Sequence, residues 1–236
     1  MNFNEETKYD REKLNSGNLN WNNKPELYKI YQTHEIIKLP KPTNLSSKTF
    51  FELIKSRQSI RKYKKKEINL EQLSYLLWCS YGVQRTEFDF EFRTIPSAGA
   101  LYPLEIYFFA NNIHELEKGF YHYNIKNHFL EVIRKGDFLR EIIFGCLHQN
   151  FIANSSLIIF ITAIFERMFW KYKERGLRYI FIEAGHLMQN FLLAAHSIEL
   201  GTCQIGAFFD DELNELLNLD GNNDSVIYVS SLGYPD

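Results

Sequence analysis

Residues 177–200 constrain the fold more than any other part of the chain. They predict one long helix with apolar side chains on most of its faces, and Gly201 follows as its end. A surface helix buries a single stripe, so a helix of this composition needs neighbours on most sides. One domain of this size has difficulty covering it, so we expect part of it to lie in a homodimer interface. The apolar residues are Ile180, Phe181, Ile182, Leu187, Met188, Phe191, Leu192, Leu193 and Ile198.

Helices and strands alternate along the chain without a regular βαβ repeat, which favours an α+β fold over a doubly wound sheet. Thr49 and Glu52 have the spacing of a capping box, so a helix should begin near Ser47. The β-branched apolar run at 157–164 predicts a buried central strand. We also expect helices at 69–81 and at 210–217 with Asp210 as N-cap, and strands at 104–110, 119–123, 128–133 and 226–230.

Composition narrows the function. The 236 residues include 27 Lys and Arg against 29 Asp and Glu, so no overall charge attracts nucleic acid or an anionic membrane. Three cysteines without a CxxC pair indicate reduced thiols rather than disulfides or a zinc site. The N-terminus lacks the apolar core of a signal peptide, and the longest apolar run is too short to span a bilayer. We expect a cytoplasmic protein with a lead-in arm at 1–45 and one domain at 46–236.

A basic segment begins at Arg57 and suits a phosphate. Arg57 and Arg61 stand four residues apart with Ser59 between them, and forked guanidinium contacts with a short hydroxyl bond match phosphate geometry. The alternative is a solvated basic face, which a charge run usually is. Nucleic acid is disfavoured because the rest of the chain has no basic surplus.

Two segments of small residues could lie against a planar ligand. They are PSAGALYP at 96–103 and TCQIGA at 202–207, where little side-chain bulk lets the backbone come close. The alternative for the first is an ordinary tight loop before a strand. The second could equally be a plain connection from helix to strand.

Lys171 and Tyr172 are candidate acid–base residues. Adjacent Lys and Tyr side chains can exchange a proton when one is desolvated and the other is charged, although a lysine beside a packed tyrosine is the simpler interpretation. Glu183 and His186 have helical metal-ligand spacing, but the pair occurs once and a di-iron site needs two. We interpret it as a polar pair on a packed helix and expect no metal.

Taken in order, the segments resemble the SagB/ThcOx-type dehydrogenases, a branch of the nitroreductase superfamily. The lead-in is similar as well, so the resemblance covers nearly the whole chain. PSAGALYP and the KY…RG…RY pattern are specific to the branch, whereas RxSxR is common to the superfamily. The segments are SRQSIRKY, LEQLSYLLWCSYGV, PSAGALYPLEIYFF, GFYHYN, WKYKERGLRY, EAGHLMQNFLLAAHSIELGTCQIGAF and VSSLGYP.

The resemblance implies an α+β flavoprotein with a mostly antiparallel central sheet flanked by helices, and an intertwined homodimer with FMN at its interface. It implies oxidation of peptide thiazolines and oxazolines to thiazoles and oxazoles during bacteriocin-like peptide maturation, with a cyclodehydratase complex as a partner. Lys171 and Tyr172 match the catalytic pair. The cofactor-binding positions would be Arg57, Gln58, Ser59 and Arg61, then Pro96, Ser97, Ala98 and Gly99 of the partner subunit, and Gln204, Ile205 and Gly206.

Two departures leave alternatives open. Many nitroreductases place a basic pair near the C-terminus on the FMN phosphate, and this chain ends Gly-Tyr-Pro-Asp without one, so Arg178 is the expected substitute. The chain is also short for an azoline oxidase. An NAD(P)H-dependent nitro- or enone-reductase on the same fold is therefore the second hypothesis, and a non-catalytic scaffold of a peptide-modifying complex is the third.

Overall fold

A computed structural model describes residues 2–12, 19–31, 35–88 and 90–236. Its strands are β1 (Ile36–Lys38), β2 (Tyr63–Lys64), β3 (Val83–Glu87), β4 (Phe90–Arg93), β5 (Leu104–Ala110), β6 (Gly119–Asn124), β7 (Phe129–Lys135), β8 (Leu157–Ile164), β9 (Gly201–Ile205) and β10 (Asp224–Pro235). Its α-helices are α1 (Phe3–Thr7), α2 (Phe50–Ser56), α3 (Leu70–Tyr81), α4 (Leu139–Gly145), α5 (Phe165–Tyr172), α6 (Gly176–Ser197) and α7 (Asp210–Leu216). Short 3₁₀ helices lie at Trp21–Asn23, Ala98–Ala100, Asn150–Asn154 and Lys173–Arg175.

An eight-stranded antiparallel sheet forms the centre of the described residues. Its order is β1-β7-β6-β5-β8-β10-β2, with β9 also paired to β10, and β3 and β4 make a separate hairpin. Every residue of β5 is buried: Ile106 and Phe108 face the core under α3 and α6, and Tyr107 and Phe109 face the core under α4 and α7. Because helices cover both faces, the central strands β5 and β8 read as continuous apolar runs. The expected α+β fold with a mostly antiparallel sheet is confirmed.

Local signals gave most helix starts correctly. Thr49 and Asn69 both close capping boxes, with Glu52 and Gln72 respectively, as expected. The predicted end of the long helix was wrong: α6 stops at Ser197, the chain turns through Glu199 at φ +64°, and Gly201 already belongs to β9. The cap of α7 was also wrong, because Phe209 is its N-cap and makes no side-chain hydrogen bond. The last strand is longer than expected at both ends.

The lead-in is tied to the domain by buried arginines that bind its backbone. Arg167 Nε donates to the Glu26 carbonyl at 2.7 Å, and Arg93 Nη2 donates to the Leu27 carbonyl at 3.1 Å. The aromatic residues of the lead-in pack as expected: Trp21 against Trp170, Tyr31 against Tyr107, Tyr9 against Tyr179, and Tyr28 against the core. Residues 13–18 and 32–34 of the predicted arm lie outside the described residues.

The three cysteines form no disulfide. Cys79, Cys146 and Cys203 are free thiols, two of them buried and Cys79 half-buried. No helix in the described part of the chain has the length and apolar character to cross a membrane. Within the same residues, no three His, Cys, Asp or Glu side chains are grouped to hold a metal ion.

Candidate active site

Residues 57–61 lie beside the start of β9. The Ile60 N–H donates to the Thr202 carbonyl at 2.9 Å, and Ser59 pairs with Thr202 in a parallel bridge. Gly201 allows this approach, since a Cβ there would come 2.7 Å from Ile60 Cγ1. The fold thus joins the predicted phosphate segment to the second small-residue segment. We call this group the arginine cluster: Arg57, Gln58, Ser59, Arg61, Gln204, Ile205 and Gly206.

The arginine cluster fits a ligand with a phosphate and a flat ring. Arg57 is half-buried and Arg61 is exposed, and neither guanidinium forms an ion pair with a carboxylate among the described residues. Burial raises the pKa of Cys203, and nearby Arg61 partly offsets the shift. Nothing lies within 4 Å of a Cβ built on Gly206, so space remains beside the backbone there. Two guanidiniums without a carboxylate partner among the described residues, next to an open stretch of backbone, suit FMN: the arginines would hold the phosphate and the backbone of residues 204–206 would face the ring.

The side chains of Lys171 and Tyr172 converge on one point. A Cβ on Gly99 would come 2.8 Å from Tyr172 Oη and 3.1 Å from Lys171 Nζ. Adjacent residues of a regular helix point about 100° apart. Here α5 ends at Tyr172, because Lys173 takes φ +49°. The regular helical spacing therefore stops at this pair, and the two side chains can approach the same point. We call the group the lysine–tyrosine cluster: Lys171, Tyr172, Pro96, Ser97, Ala98 and Gly99.

The loop of this cluster is bent by left-handed residues and held at its far end. Gly99, Ala100 and Tyr102 have φ of +67°, +52° and +45°. The Tyr102 N–H donates to Ser97 Oγ at 2.9 Å, and Arg167 Nη1 donates to the Tyr102 carbonyl at 3.1 Å. Arg167 lies one turn before Lys171 on α5, so the helix that carries Lys171 and Tyr172 also holds the loop beside them.

Lys171 and Tyr172 line a cavity of about 640 Å³ whose other wall is α1 and the chain after it. Tyr179 packs edge-to-face on Tyr172 with ring centroids 4.9 Å apart, and its Oη lies 3.4 Å from Tyr9 Oη. The hydrogen bond with Tyr9 and the Arg175 guanidinium lower the pKa of Tyr179. Sequence reasoning missed this wall, although an aromatic residue in a polar lead-in was the available signal.

The two clusters of one chain lie near opposite ends of α6. Glu183 marks the lysine–tyrosine end: burial raises its pKa to about 7, and the hydroxyl of Ser97, in the loop of that cluster, opposes the shift. His196, whose Nε2 lies 2.7 Å from Ser56 Oγ and whose pKa Arg57 helps to lower, marks the other end. Thirteen residues of helix separate the two markers, about 20 Å at 1.5 Å per residue. A single flavin ring therefore cannot contact both clusters of the same chain.

Arg178 belongs to neither cluster. Its Nε donates to Thr7 Oγ1 at 2.6 Å and its Nη2 to Asn4 Oδ1 at 3.1 Å, so it ties α1 to the first turn of α6. The structure does not bring Arg178 to Arg57 of the same chain, and its contact with the FMN phosphate stays a prediction. Glu183 and His186 also separate: the first is buried and the second is exposed.

Comparison with known proteins defines the class. Residues 54–234 match the Nitroreductase family, which is more than half of the chain. The protein therefore belongs to the nitroreductase family, and the resemblance inferred from the motifs is confirmed at that level. Family membership supports FMN as the cofactor, in agreement with the arginine cluster.

Relatives give a finer picture. The nitroreductase-type protein MJ1384 of Methanocaldococcus jannaschii is 39% identical over 163 residues, which is 69% of this chain and 81% of that protein. The trifolitoxin operon protein TfxC of Rhizobium leguminosarum is 25% identical over 210 residues, covering 83% of this chain and 58% of TfxC. The microcin B17-processing protein McbC of Escherichia coli is 28% identical over 148 residues, covering 60% of this chain and 54% of McbC. The chain thus spans little more than half of the length of TfxC and of McbC.

Solved structures share the fold. A nitroreductase from Anabaena variabilis has a TM-score of 0.79 at 28% identity, and the match covers 98% of this chain and 45% of the Anabaena chain. The E. coli microcin synthetase McbBCD, with truncated pro-MccB17 bound, has a TM-score of 0.66 at 21% identity over 87% of this chain and 79% of the other. A Desulfovibrio desulfuricans nitroreductase in complex with FMN has a TM-score of 0.55 at 18% identity, and the match covers 78% of this chain and 85% of that protein. The last two are evidence for the fold alone.

Proposed function

We propose that the protein is an FMN-dependent dehydrogenase of the SagB/ThcOx type that oxidises peptide thiazolines and oxazolines to thiazoles and oxazoles. The observation that carries the proposal is the convergence of Lys171 Nζ and Tyr172 Oη beside Gly99, at the wall of a cavity of about 640 Å³. Similarity to McbC, which is named for microcin B17 processing, and to TfxC, which is named for the trifolitoxin operon, supports a peptide substrate. A cytoplasmic location and a single FMN domain at 46–236 after the lead-in are part of the proposal.

The catalytic pair would act on the carbon next to the carbonyl of the azoline. Tyr172 takes the proton from that carbon and Lys171 supports the phenolate, with the reverse assignment as the alternative. Bound FMN supplies the hydride acceptor. The two hydrogens leave adjacent ring carbons, a C=C bond forms between them, and the ring becomes aromatic with a loss of 2 Da. The pair lies at an open cavity wall, as a peptide substrate requires.

A second copy of the chain would complete each site. The lysine–tyrosine and arginine clusters lie about 20 Å apart along α6. Antiparallel packing of two α6 helices about a two-fold axis would place the lysine–tyrosine cluster of each chain beside the arginine cluster of its partner. The faces available for this contact are apolar: Phe50 and Phe51 on α2 are 70% and 73% exposed, and Phe181 and Ile182 on α6 are 50% and 55% exposed. We therefore propose a homodimer that binds two FMN.

Substitution of the pair tests the proposed reaction. Lys171→Ala and Tyr172→Phe should each retain FMN and lose azole formation by about 10²–10⁴-fold, the usual contribution of a general base. Mass spectrometry of an azoline peptide, read as the 2 Da loss per ring, measures the rate. Lys118→Ala, just before β6, and Tyr121→Phe, on β6, are controls that belong to neither cluster. Near-wild-type oxidation by both site variants would contradict the assignment.

A reductase is the second candidate, favoured by the 39% identity to the M. jannaschii nitroreductase-type protein. It would use NAD(P)H to reduce FMN and then a nitro compound or an enone. Rapid bleaching of the flavin by NADPH in a stopped-flow experiment, without oxidation of any azoline peptide, would select it. A protein that takes up no FMN would instead favour a scaffold role.

The partner would be a peptide-modifying complex. One neighbour of this fold is the McbBCD synthetase with a truncated precursor peptide bound. We propose that this chain likewise works with a cyclodehydratase, which makes the azolines that the dehydrogenase consumes. Co-purification with such an enzyme and a precursor rich in Cys, Ser or Thr would test the association.

A further inference from the structure

Glu183 is a buried carboxylate that none of the steps above uses. It lies on α6, is 2% exposed, and accepts a hydrogen bond from Tyr81 Oη at 2.5 Å. Its other oxygen, Oε2, has no hydrogen-bond partner in the described part of the chain. A buried carboxyl group is costly unless it is hydrogen-bonded, so Glu183 depends on the few donors around it.

The groups around Glu183 are those that hold the loop of the lysine–tyrosine cluster. Tyr81 Oη, which donates to Glu183, also accepts from the Leu104 N–H at 3.3 Å, just after the loop. Ser97, at the start of the loop, accepts from the Tyr102 N–H and has its own hydroxyl proton free to turn toward Glu183, whose pKa it lowers. Glu183 is therefore linked to both ends of the segment 97–104, through Ser97 at its start and through Tyr81 at Leu104.

That segment needs external support. Ala100 and Tyr102 both take positive φ, which residues with a Cβ avoid unless their surroundings impose it. Gly99 lies between these supports, where an added Cβ would come within 3.1 Å of both Tyr172 Oη and Lys171 Nζ. A loop that relaxes would move away from the catalytic pair, and a displacement of about 1 Å can lower a rate 10²-fold.

We propose that Glu183 is a positioning residue, which through Tyr81 and Ser97 holds loop 97–102 against Lys171 and Tyr172 and is needed in its ionised form. The proposal rests on the proposed function only for its kinetic consequence, because the position of the loop can be measured without turnover.

The surroundings of Glu183 make its charge sensitive to pH. Burial raises the pKa of Glu183 to about 7, against the opposing effects of Ser97, Tyr81, Arg93 and Arg167. Arg93 lies over the Tyr81 ring at 4.4 Å, with its Nε and Nη1 unpartnered within the described residues, and burial keeps the pKa of Tyr81 well above its usual value. Tyr81 thus remains a donor, and Glu183 gains its full acceptor strength as the pH rises through about 7.

Two variants test the proposal in the full-length FMN-bound protein. Glu183→Gln keeps the shape and removes the charge. Tyr81→Phe keeps Glu183 and removes a bond that lowers its pKa. Hydrogen–deuterium exchange of the peptide spanning 97–104, at pH 6 and pH 8 and corrected for intrinsic rates, reports the loop. The pH profiles of kcat and KM for an azoline peptide measure the effect on Lys171 and Tyr172. Glu166→Gln, on the exposed surface of α5, is the control.

We expect wild-type kcat to rise with pH through about 7, and the loop to exchange more slowly at pH 8 than at pH 6. Glu183→Gln should lower kcat about tenfold with little change in KM or flavin content, abolish the inflection and raise loop exchange about tenfold. Tyr81→Phe should move the inflection to higher pH. Unchanged exchange and an unchanged profile in Glu183→Gln would overturn the proposal. If the wild type oxidises no azoline, the proposed function fails while the exchange arm still decides the role of Glu183.

Discussion

Gly99→Ala should separate the geometry of the proposed catalytic pair, Lys171 and Tyr172, from the stability of the fold. The new Cβ would come 2.8 Å from Tyr172 Oη and 3.1 Å from Lys171 Nζ, whereas ordinary contacts begin at 3.4 Å. Tyr172 would have to retreat by about 0.6 Å, or the loop would have to move by as much. Since a misplacement of about 1 Å can cost 10²-fold in rate, we expect azole formation to fall about 10–100-fold.

The same substitution also strains the backbone. Gly99 has φ +67°, where a residue with a Cβ costs about 1–2 kcal/mol more than glycine. For a chain of this size such a loss lowers the melting temperature by about 2–8 °C. FMN should still bind, because the arginines that would hold its phosphate are unchanged.

Gly221→Ala is the matched control. Gly221 has φ +72°, and a Cβ there would meet only Asn214 Nδ2, at 3.3 Å, outside both clusters. Both variants should therefore lose similar stability in a thermal scan, and only Gly99→Ala should lose activity by the stated factor. Equal activity in the two variants would refute the argument that the loop packs against the pair.

Three further outcomes are expected. Arg61→Ala should weaken FMN binding at least tenfold in a dialysis and fluorescence assay, while Lys62→Ala, its exposed neighbour, should not. Burial would raise the pKa of Glu105, but Arg167 and His122 outweigh it and hold the pKa at about 2, below the ordinary 4.5. This lowered pKa stabilises the fold above about pH 4.5 by roughly 3 kcal/mol, and the contribution is lost as pH falls toward 2. The free energy of unfolding should therefore decline less steeply below pH 4.5 in Glu105→Gln than in the wild type. Phe181→Asp should convert a dimer to monomers in light scattering, and a wild-type monomer that binds FMN would disprove the shared site.

Local sequence signals were sufficient for elements whose determinants are neighbours in the chain. Thr49 with Glu52 fixed the start of α2, and the continuous run at 157–164 marked a strand buried on both faces. Elements that depend on contacts between residues far apart in the chain were not predicted from the sequence. β2 has two residues and exists because Tyr63 and Lys64 pair with the end of β10, some 170 positions away. The fixed path of residues 26–27 depends on Arg93 and Arg167, which bind backbone carbonyls and leave no pattern in the lead-in.

The sequence by itself determined the family, the location of most helices and strands, and the segments predicted to form the active site. It could do so because motif spacing and hydrophobic period are properties of the chain. Only the tertiary structure decided how those segments are grouped. It divided them into two clusters near opposite ends of α6, ended α5 at Tyr172 so that Lys171 and Tyr172 converge on Gly99, and used Arg178 to hold α1. It also placed Glu183 behind the loop 97–102. Such groupings arise from packing between residues far apart in sequence, and no local pattern encodes them.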